Sequence, residues 1–264
     1  MKVLIGTDLE GVAGVVSFTQ QTYADSRYYD RAKRLLTAEI NAAVKGLVAE
    51  GIEEILVMDG HGPGGIWYDD LKPPARLLHG RPLPPRARLA PIVSQYDVCV
   101  MIGQHAMAGV LTSNQGHTQS SRAIDYIKLN GKPIGEIAQF ALYFGGLGLP
   151  LIFLSGEQDA CTEVEELIPG IVTVAVQQGV GRGAAISLAA PEAHRRIRKG
   201  IRRAVRKQRE DPITPLRWEG PYVLEKRYFH TDVADRVSVL PGAQRVDSQT
   251  VRLECDDILE TVYW

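Results

Sequence analysis

The sequence predicts an α/β fold: a three-layer, mostly parallel sheet flanked by helices, with a smaller C-terminal α/β subdomain. Two observations predict it. Short continuous apolar runs alternate with longer stretches whose apolar residues recur at helical spacing, the pattern of buried parallel strands joined by crossover helices. The early apolar runs also stop at an acid or a histidine, as expected where strand carboxyl ends open onto one crevice. At 264 residues and 45% hydrophobic content, the chain can bury a sizeable core.

Lys2–Thr7 reads as the first strand and leads into Asp8-Leu9-Glu10-Gly11. Two acids one residue apart project to the same side of an extended segment, so both can face one cation. Gly11 then lets the backbone turn sharply. Taken alone, the motif also fits a solvated loop. From Tyr29 to Glu50, Leu35, Leu36, Ile40, Ala43, Val44, Leu47 and Val48 fall at helical spacing, and Gly51 ends the helix. Glu54–Met58 is the next strand and runs into Asp59-Gly60-His61. The proline-rich stretch Leu71–Pro91 reads as a loop. Asp97–Gly103 is a further strand and runs into Gln104-His105. Three strand ends thus offer Asp8, Glu10, His61 and His105 to one place, although each histidine taken singly also fits a capping or hydrogen-bonded structural role. Asp59 suits either a strand-end cap or a carboxylate that orients a ligand.

The segment Leu111–Ser121 is polar and has little to bury, so it is a surface loop or a site loop. His117 is its only group able to exchange protons near neutral pH, and it reads as catalytic rather than as a ligand. Tyr126–Leu129 and Lys132–Ile134 flank Asn130-Gly131, a hairpin signal. Gly135-Glu136 then opens a helical pattern through Phe140, Ala141 and Phe144. Glu136 there either favours the helix dipole or presents a carboxylate to a metal from the far side.

Pro150–Leu154 is a strand, followed by an acidic helix from Glu157 to Leu167, whose Glu157 or Asp159 can meet a substrate amine. Ile171–Val176 is the next strand. Gly179–Gly183 resembles a phosphate loop but lacks its lysine and hydroxyl continuation, so it reads as a flexible loop with Arg182 available to a substrate carboxylate. From Ile186 onward a long helix is expected. Across Arg195–Lys207, Ile197, Ile201, Ala204 and Val205 share one face, which leaves the arginines as its solvated face. Tyr222–Phe229, Thr250–Leu253 and a helical tail over Asp256–Val262 complete the subdomain.

A formal net charge of −1 argues against nonspecific nucleic-acid binding. Cys99, Cys161 and Cys255 show no paired spacing, which suggests reduced thiols and a cytoplasmic protein. The chain starts on a core strand, leaving no room for a signal peptide, and no apolar run approaches the ~18 residues of a membrane span.

Taken together, Asp8-x-Glu10-Gly11, Asp59-x-His61, Gly103-x-His105-Ala106, Gly116-His117, Asn130-Gly131-x-Pro133-x-Gly135-Glu136 and Glu165-Glu166-Leu167-Ile168-Pro169 resemble the D-aminopeptidases of the bacterial dipeptide-operon type, over essentially the whole chain. The Asn114-Gln115-Gly116 stretch departs from that family's pattern. The resemblance implies two Zn2+ ions held by Asp8, Glu10, His61, His105 and Glu136, with Asp8 as the bridge and His117 as the catalytic histidine. Mn2+ or Co2+ can satisfy the same donors. Three carboxylates and two neutral imidazoles give about −3 against about +4 from two zinc ions, and one bridging hydroxide restores neutrality. It further implies that the metal-bound hydroxide cleaves the amino-terminal residue, D-configured and D-alanine-like, from short peptides or amino-acid amides. Residues 1–185 would form the metal-binding catalytic core and 186–264 the helix and C-terminal subdomain, packed with it as one unit. A ring-shaped homo-oligomer, a decamer, is also implied. Another metal-dependent amidohydrolase acting on a small amide and a noncatalytic metal-binding oligomeric protein remain open.

Overall fold

The computed structural model describes residues 1–264. In chain order the strands are β1 (Val3–Thr7), β2 (Ile55–Asp59), β3 (Arg76–Leu78), β4 (Val98–Gln104), β5 (Ile124–Leu129), β6 (Lys132–Pro133), β7 (Leu151–Glu157), β8 (Val172–Gly179), β9 (Ala185–Ser187), β10 (Tyr222–Tyr228), β11 (Ala243–Arg245) and β12 (Thr250–Cys255). The helices are α1 (Tyr29–Val48), α2 (Arg86–Val93), α3 (Glu136–Gly146), α4 (Gln158–Leu167), α5 (Ala190–Glu210), α6 (Thr231–Ser238) and α7 (Ile258–Thr261). No helix is long and apolar enough to cross a membrane.

Seven strands form the main sheet in the order β3-β2-β1-β4-β7-β8-β9, all parallel except the β8–β9 edge pair. Its central strands are apolar on both faces because both are covered. Val3, Ile5, Val57, Val100 and Ile102 point into a core shared with α1 and α5. Leu4, Leu56, Met58, Cys99, Met101 and Leu154 point into a second core with α3 and α4. Helix α5 buries Ile197, Ile201, Ala204 and Val205, as its spacing predicts. Two of its arginines, Arg202 and Arg206, clamp Glu50 at 2.8 and 2.9 Å.

The second sheet is antiparallel, in the order β11-β12-β10-β5-β6. Ile127, Leu129, Leu224, Val251 and Leu253 face the core that holds Phe140 and Phe144 of α3. This sheet takes strands from both sides of residue 186, and α5 covers the main sheet, so position 186 is not a boundary between sheets. At the β5–β6 turn, Asn130 and Gly131 have φ of 50° and 78°, the left-handed pair of a type I′ hairpin.

Several elements differ from the sequence reading. The Leu71–Pro91 stretch contains β3 and the start of α2, whose eight residues bury only Leu89 and Val93, too few to make a periodic signal. Ile186 lies in β9, and the long helix starts at Ala190, where a proline occupies its first turn. Helix α6 buries Ala234 alone and left no apolar stripe to read.

From β1 the chain builds outward through β2 and β3, then returns to place β4 on the other side of β1. The carboxyl ends of β1 and β4 therefore flank a switch point, where loops diverge and leave a crevice.

Candidate metal centre

Asp8 and Glu10 leave β1 at this crevice, His61 follows β2, and His105 follows β4. The register aligns Thr7 with Asp59 on one side and with Ile102 on the other, so the three chain segments emerge at one level. Two glycines permit the close approach. A Cβ on Gly11 would overlap the Gln104 carbonyl, and one on Gly103, at φ +81°, would overlap the Asp8 carbonyl. Glu136 enters from across the crevice on the first turn of α3.

Asp8 is central. Its Oδ1 lies 3.1 Å from His61 Nδ1 and its Oδ2 lies 3.1 Å from His105 Nε2. Glu10 Oε2 is also 3.1 Å from His61 Nδ1, while Glu136 Oε1 lies 3.6 Å from His105 Nε2 and 3.7 Å from His117 Nε2. Two overlapping groups result, Asp8 with Glu10 and His105, and His105 with His117 and Glu136; within each the donor atoms lie within 4.8 Å of one another. Geometry therefore groups His117 with His105 and Glu136 as closely as Asp8 and Glu10 group with His105, whereas His61 belongs to neither group and reaches only Asp8 and Glu10. Its ring stacks on that of His105, with centroids 4.1 Å apart.

The hydrogen bonds on the outer side of each ring fix what the inner side offers. His61 Nε2 faces the Thr22 carbonyl, His105 Nδ1 faces the Ala106 carbonyl and His117 Nδ1 faces the Gln115 carbonyl, each at 2.9 Å. A carbonyl only accepts, so these nitrogens carry the hydrogens. In a neutral ring the other nitrogen then turns a lone pair toward carboxylate oxygens, an arrangement that repels unless a cation sits between them. Glu10 Oε2 and His105 Nε2 are buried without any hydrogen-bond partner, which is how donors awaiting a metal look. Oxygen and imidazole donors of this kind fit zinc, manganese or cobalt.

Without a cation, the cluster shares protons. Burial alone would raise the Asp8 carboxyl, but His105 and His61 hold it well below the usual range. Burial opposes charge on His105, yet Asp8 and Glu136 push that ring up to about 10. Burial pushes Glu136 up to about 7. His117 is driven down to about 3, by burial first and then by the neighbouring His105, so it stays neutral.

The surrounding residues mostly hold the loops. Asp59 accepts from Gly65 N at 2.9 Å and pairs with Arg81 at 3.8 Å, which fastens the turn carrying His61. Glu157 accepts from Ser113 Oγ at 2.5 Å and from Asn114 N, so it ties down the loop leading to His117 and is not a free acid. Asp159 accepts from Thr112 Oγ1 at 2.8 Å. Arg182 donates to Gly116 O at 2.8 Å and lies over the Phe18 ring, whose edge packs on His117. The Thr22 carbonyl and Phe18 come from a five-residue π-helical turn that no periodicity in the sequence announces. Gln115 and Gln119 bracket His117 with φ of 57° and 63°, so the loop holds the histidine in a backbone that L residues adopt only under constraint.

Comparison with known proteins identifies the family. The D-aminopeptidase family model matches residues 1–264. A D-aminopeptidase of Bacillus subtilis (strain 168) is 27% identical over 266 residues, covering 98% of this chain and 93% of the relative. The solved structure of the Zn-dependent D-aminopeptidase DppA from Bacillus subtilis, described as a self-compartmentalizing protease, superposes with a TM-score of 0.90 at 26% identity, covering 100% of this chain and 94% of that one. A match running from the first residue to the last places the chain in the D-aminopeptidase family.

Proposed function

We propose that this protein is a zinc-dependent aminopeptidase that releases the amino-terminal residue, D-configured and alanine-like, from short peptides or amino-acid amides. The observation that carries the reading is the division of Asp8 between two histidines, one oxygen to each, with Glu10 and Glu136 on either flank. Asp8, Glu10, His61, His105 and Glu136 would hold the metal, with Asp8 placed between the two histidines. Bound there, zinc supplies Lewis-acid polarisation of the scissile carbonyl and activation of water.

The chain's own groups do the rest. With Nδ1–H committed to Gln115 O, His117 keeps a lone pair on Nε2, which can take a proton and hand it to the departing amine. The Gln115 contact and the stack on His105 keep the ring from turning away. Relatives named D-aminopeptidase and Zn-dependent support the substrate and metal. An assembly of several copies is supported by the self-compartmentalizing description of DppA and by exposed apolar residues on two neighbouring loops. Leu111 and Val180 are 91% and 57% exposed, on two loops joined by Gly181 N and Thr112 O.

Metal analysis of the purified protein should give close to two transition-metal ions per chain, and D-alanyl amides should be hydrolysed faster than their L counterparts when zinc, manganese or cobalt is added. Asp8→Ala should empty at least one position. His117→Ala should keep both ions and lose about 10²-fold or more in turnover. Loss of metal on replacing His117 would make it a ligand, and no amine release from any D- or L-aminoacyl amide would favour a different amidohydrolase or a noncatalytic protein.

A further inference from the structure

The cluster opens into a cavity of about 460 Å³ that runs between the main sheet and α3. Asp8, Glu136 and His117 line it, and so do apolar side chains including Met58, Phe140 and Phe144. Its volume is that of a small-ligand site. Gly6 makes part of this room, since a Cβ there would overlap the Phe140 ring.

Two polar groups in the cavity wall are not accounted for by peptide-bond cleavage. Arg86, on the first turn of α2, lines the cavity and has no carboxylate partner within 4.0 Å. Tyr143 lines it too, and its hydroxyl is buried with no hydrogen-bond partner, in a residue only 2% exposed. An arginine without a carboxylate partner and a buried hydroxyl without a hydrogen-bond partner, in two residues that line one cavity, offer a pair of donors to an anion. The helix dipole of α2 adds positive potential at the same end. Arg182, the arginine that the sequence offered for this role, is instead committed to Gly116 O and does not line the cavity.

We propose that Arg86, together with the Tyr143 hydroxyl, binds a carboxylate of the substrate while the amide to be cleaved lies against Asp8, Glu136 and His117 in the same cavity. The inference rests on the aminopeptidase reading of the site. It makes Arg86 a specificity-determining residue, selecting substrates that carry a negative charge a short distance from the reacting bond. Two sources present this chemistry: the free carboxyl terminus of a short peptide, and an acidic side chain on the amino-terminal residue.

Calorimetric binding separates them, using the His117→Ala protein so that ligands survive, with and without Arg86→Gln. The ligands form two pairs, D-alanyl-D-alanine with its carboxyl-terminal amide, and D-glutamic acid amide with D-glutamine amide. The protein with Arg86 should bind the carboxylate member of one pair tighter by about 10-fold or more, the usual weight of a hydrogen-bonded charge. The pair that shows the preference identifies the source. Arg86→Gln should bring the ratio close to one, Arg86→Lys should restore part of it, and Tyr143→Phe should lower it without abolishing it. A ratio near one with Arg86 present, a ratio that survives Arg86→Gln, or no measurable binding of any of the four overturns the proposal. Turnover of the same ligands by the otherwise unaltered protein is scored separately. A binding preference without turnover refutes the aminopeptidase reading and leaves the carboxylate site standing, and turnover without a preference does the reverse.

Discussion

Asp8 shares its two oxygens between His61 and His105, and the outer nitrogens of both rings are held by backbone carbonyls. That these acids and histidines converge was legible in the sequence because such residues, following apolar strands, have few other reasons to cluster. The carbonyls that orient them were not, since a backbone oxygen carries no residue signature. Glu39 was equally hidden. It sits at a polar position in the α1 pattern, yet it is 1% exposed and accepts from Ala13 N at 3.0 Å behind the metal loop. Burial pushes its carboxyl up to about 8. The folded protein therefore binds one more proton than the unfolded chain between the ordinary glutamate value, near 4.5, and about 8. Stability should then fall as pH rises through that window and level off above it, by an amount on the order of a few kcal/mol. Glu39→Gln keeps the acceptor and removes the titration. Denaturant midpoints from pH 5 to 9 should show a flatter profile for this variant, and parallel profiles would exclude Glu39 as the source.

The strand ends work as a set because the loop after β1 sits directly on the end of β4. Gly11 N donates to Gly103 O and Asp8 N donates to Ile102 O, each at 2.9 Å. Gly103→Ala faces both a positive φ and a backbone clash with Asp8, so it should displace Asp8 from His105. The expected result is a folded but less stable protein with reduced metal content, read by thermal unfolding and metal analysis. Unchanged metal content would mean that the loop adapts. Most helices and strands of the main sheet were legible because they are long or continuously apolar. Helices α2 and α6, at eight residues each with one or two buried side chains, were not, because a stripe needs more than two turns to declare itself. The cavity wall carrying Arg86 belongs to one of these unread elements, so the candidate specificity residue was invisible for the same reason.

In the whole molecule, the two sheets share one apolar core through α3, and strands from before and after residue 186 pair in the second sheet. The alternation of apolar runs with helical stretches located the fold class but not this exchange, because pairing between β5 and β10 is a relation between distant segments. On the two exposed loops, Leu111→Asp combined with Val180→Asp should lower the mass measured by light scattering if those loops meet a neighbouring copy. An unchanged mass removes them from the contact. The spacing along the chain of the residues proposed to hold metal has a further consequence. His61 and Asp8 are 53 residues apart, and only Asp8 and Glu10 are local to each other, so an unfolded chain can offer an ion at most a weak two-point grip. Ligation is thus tied to closing several long loops at once. Metal in solution should act as a mass-action brake on global unfolding, with a melting midpoint that climbs with free zinc and drops on chelation.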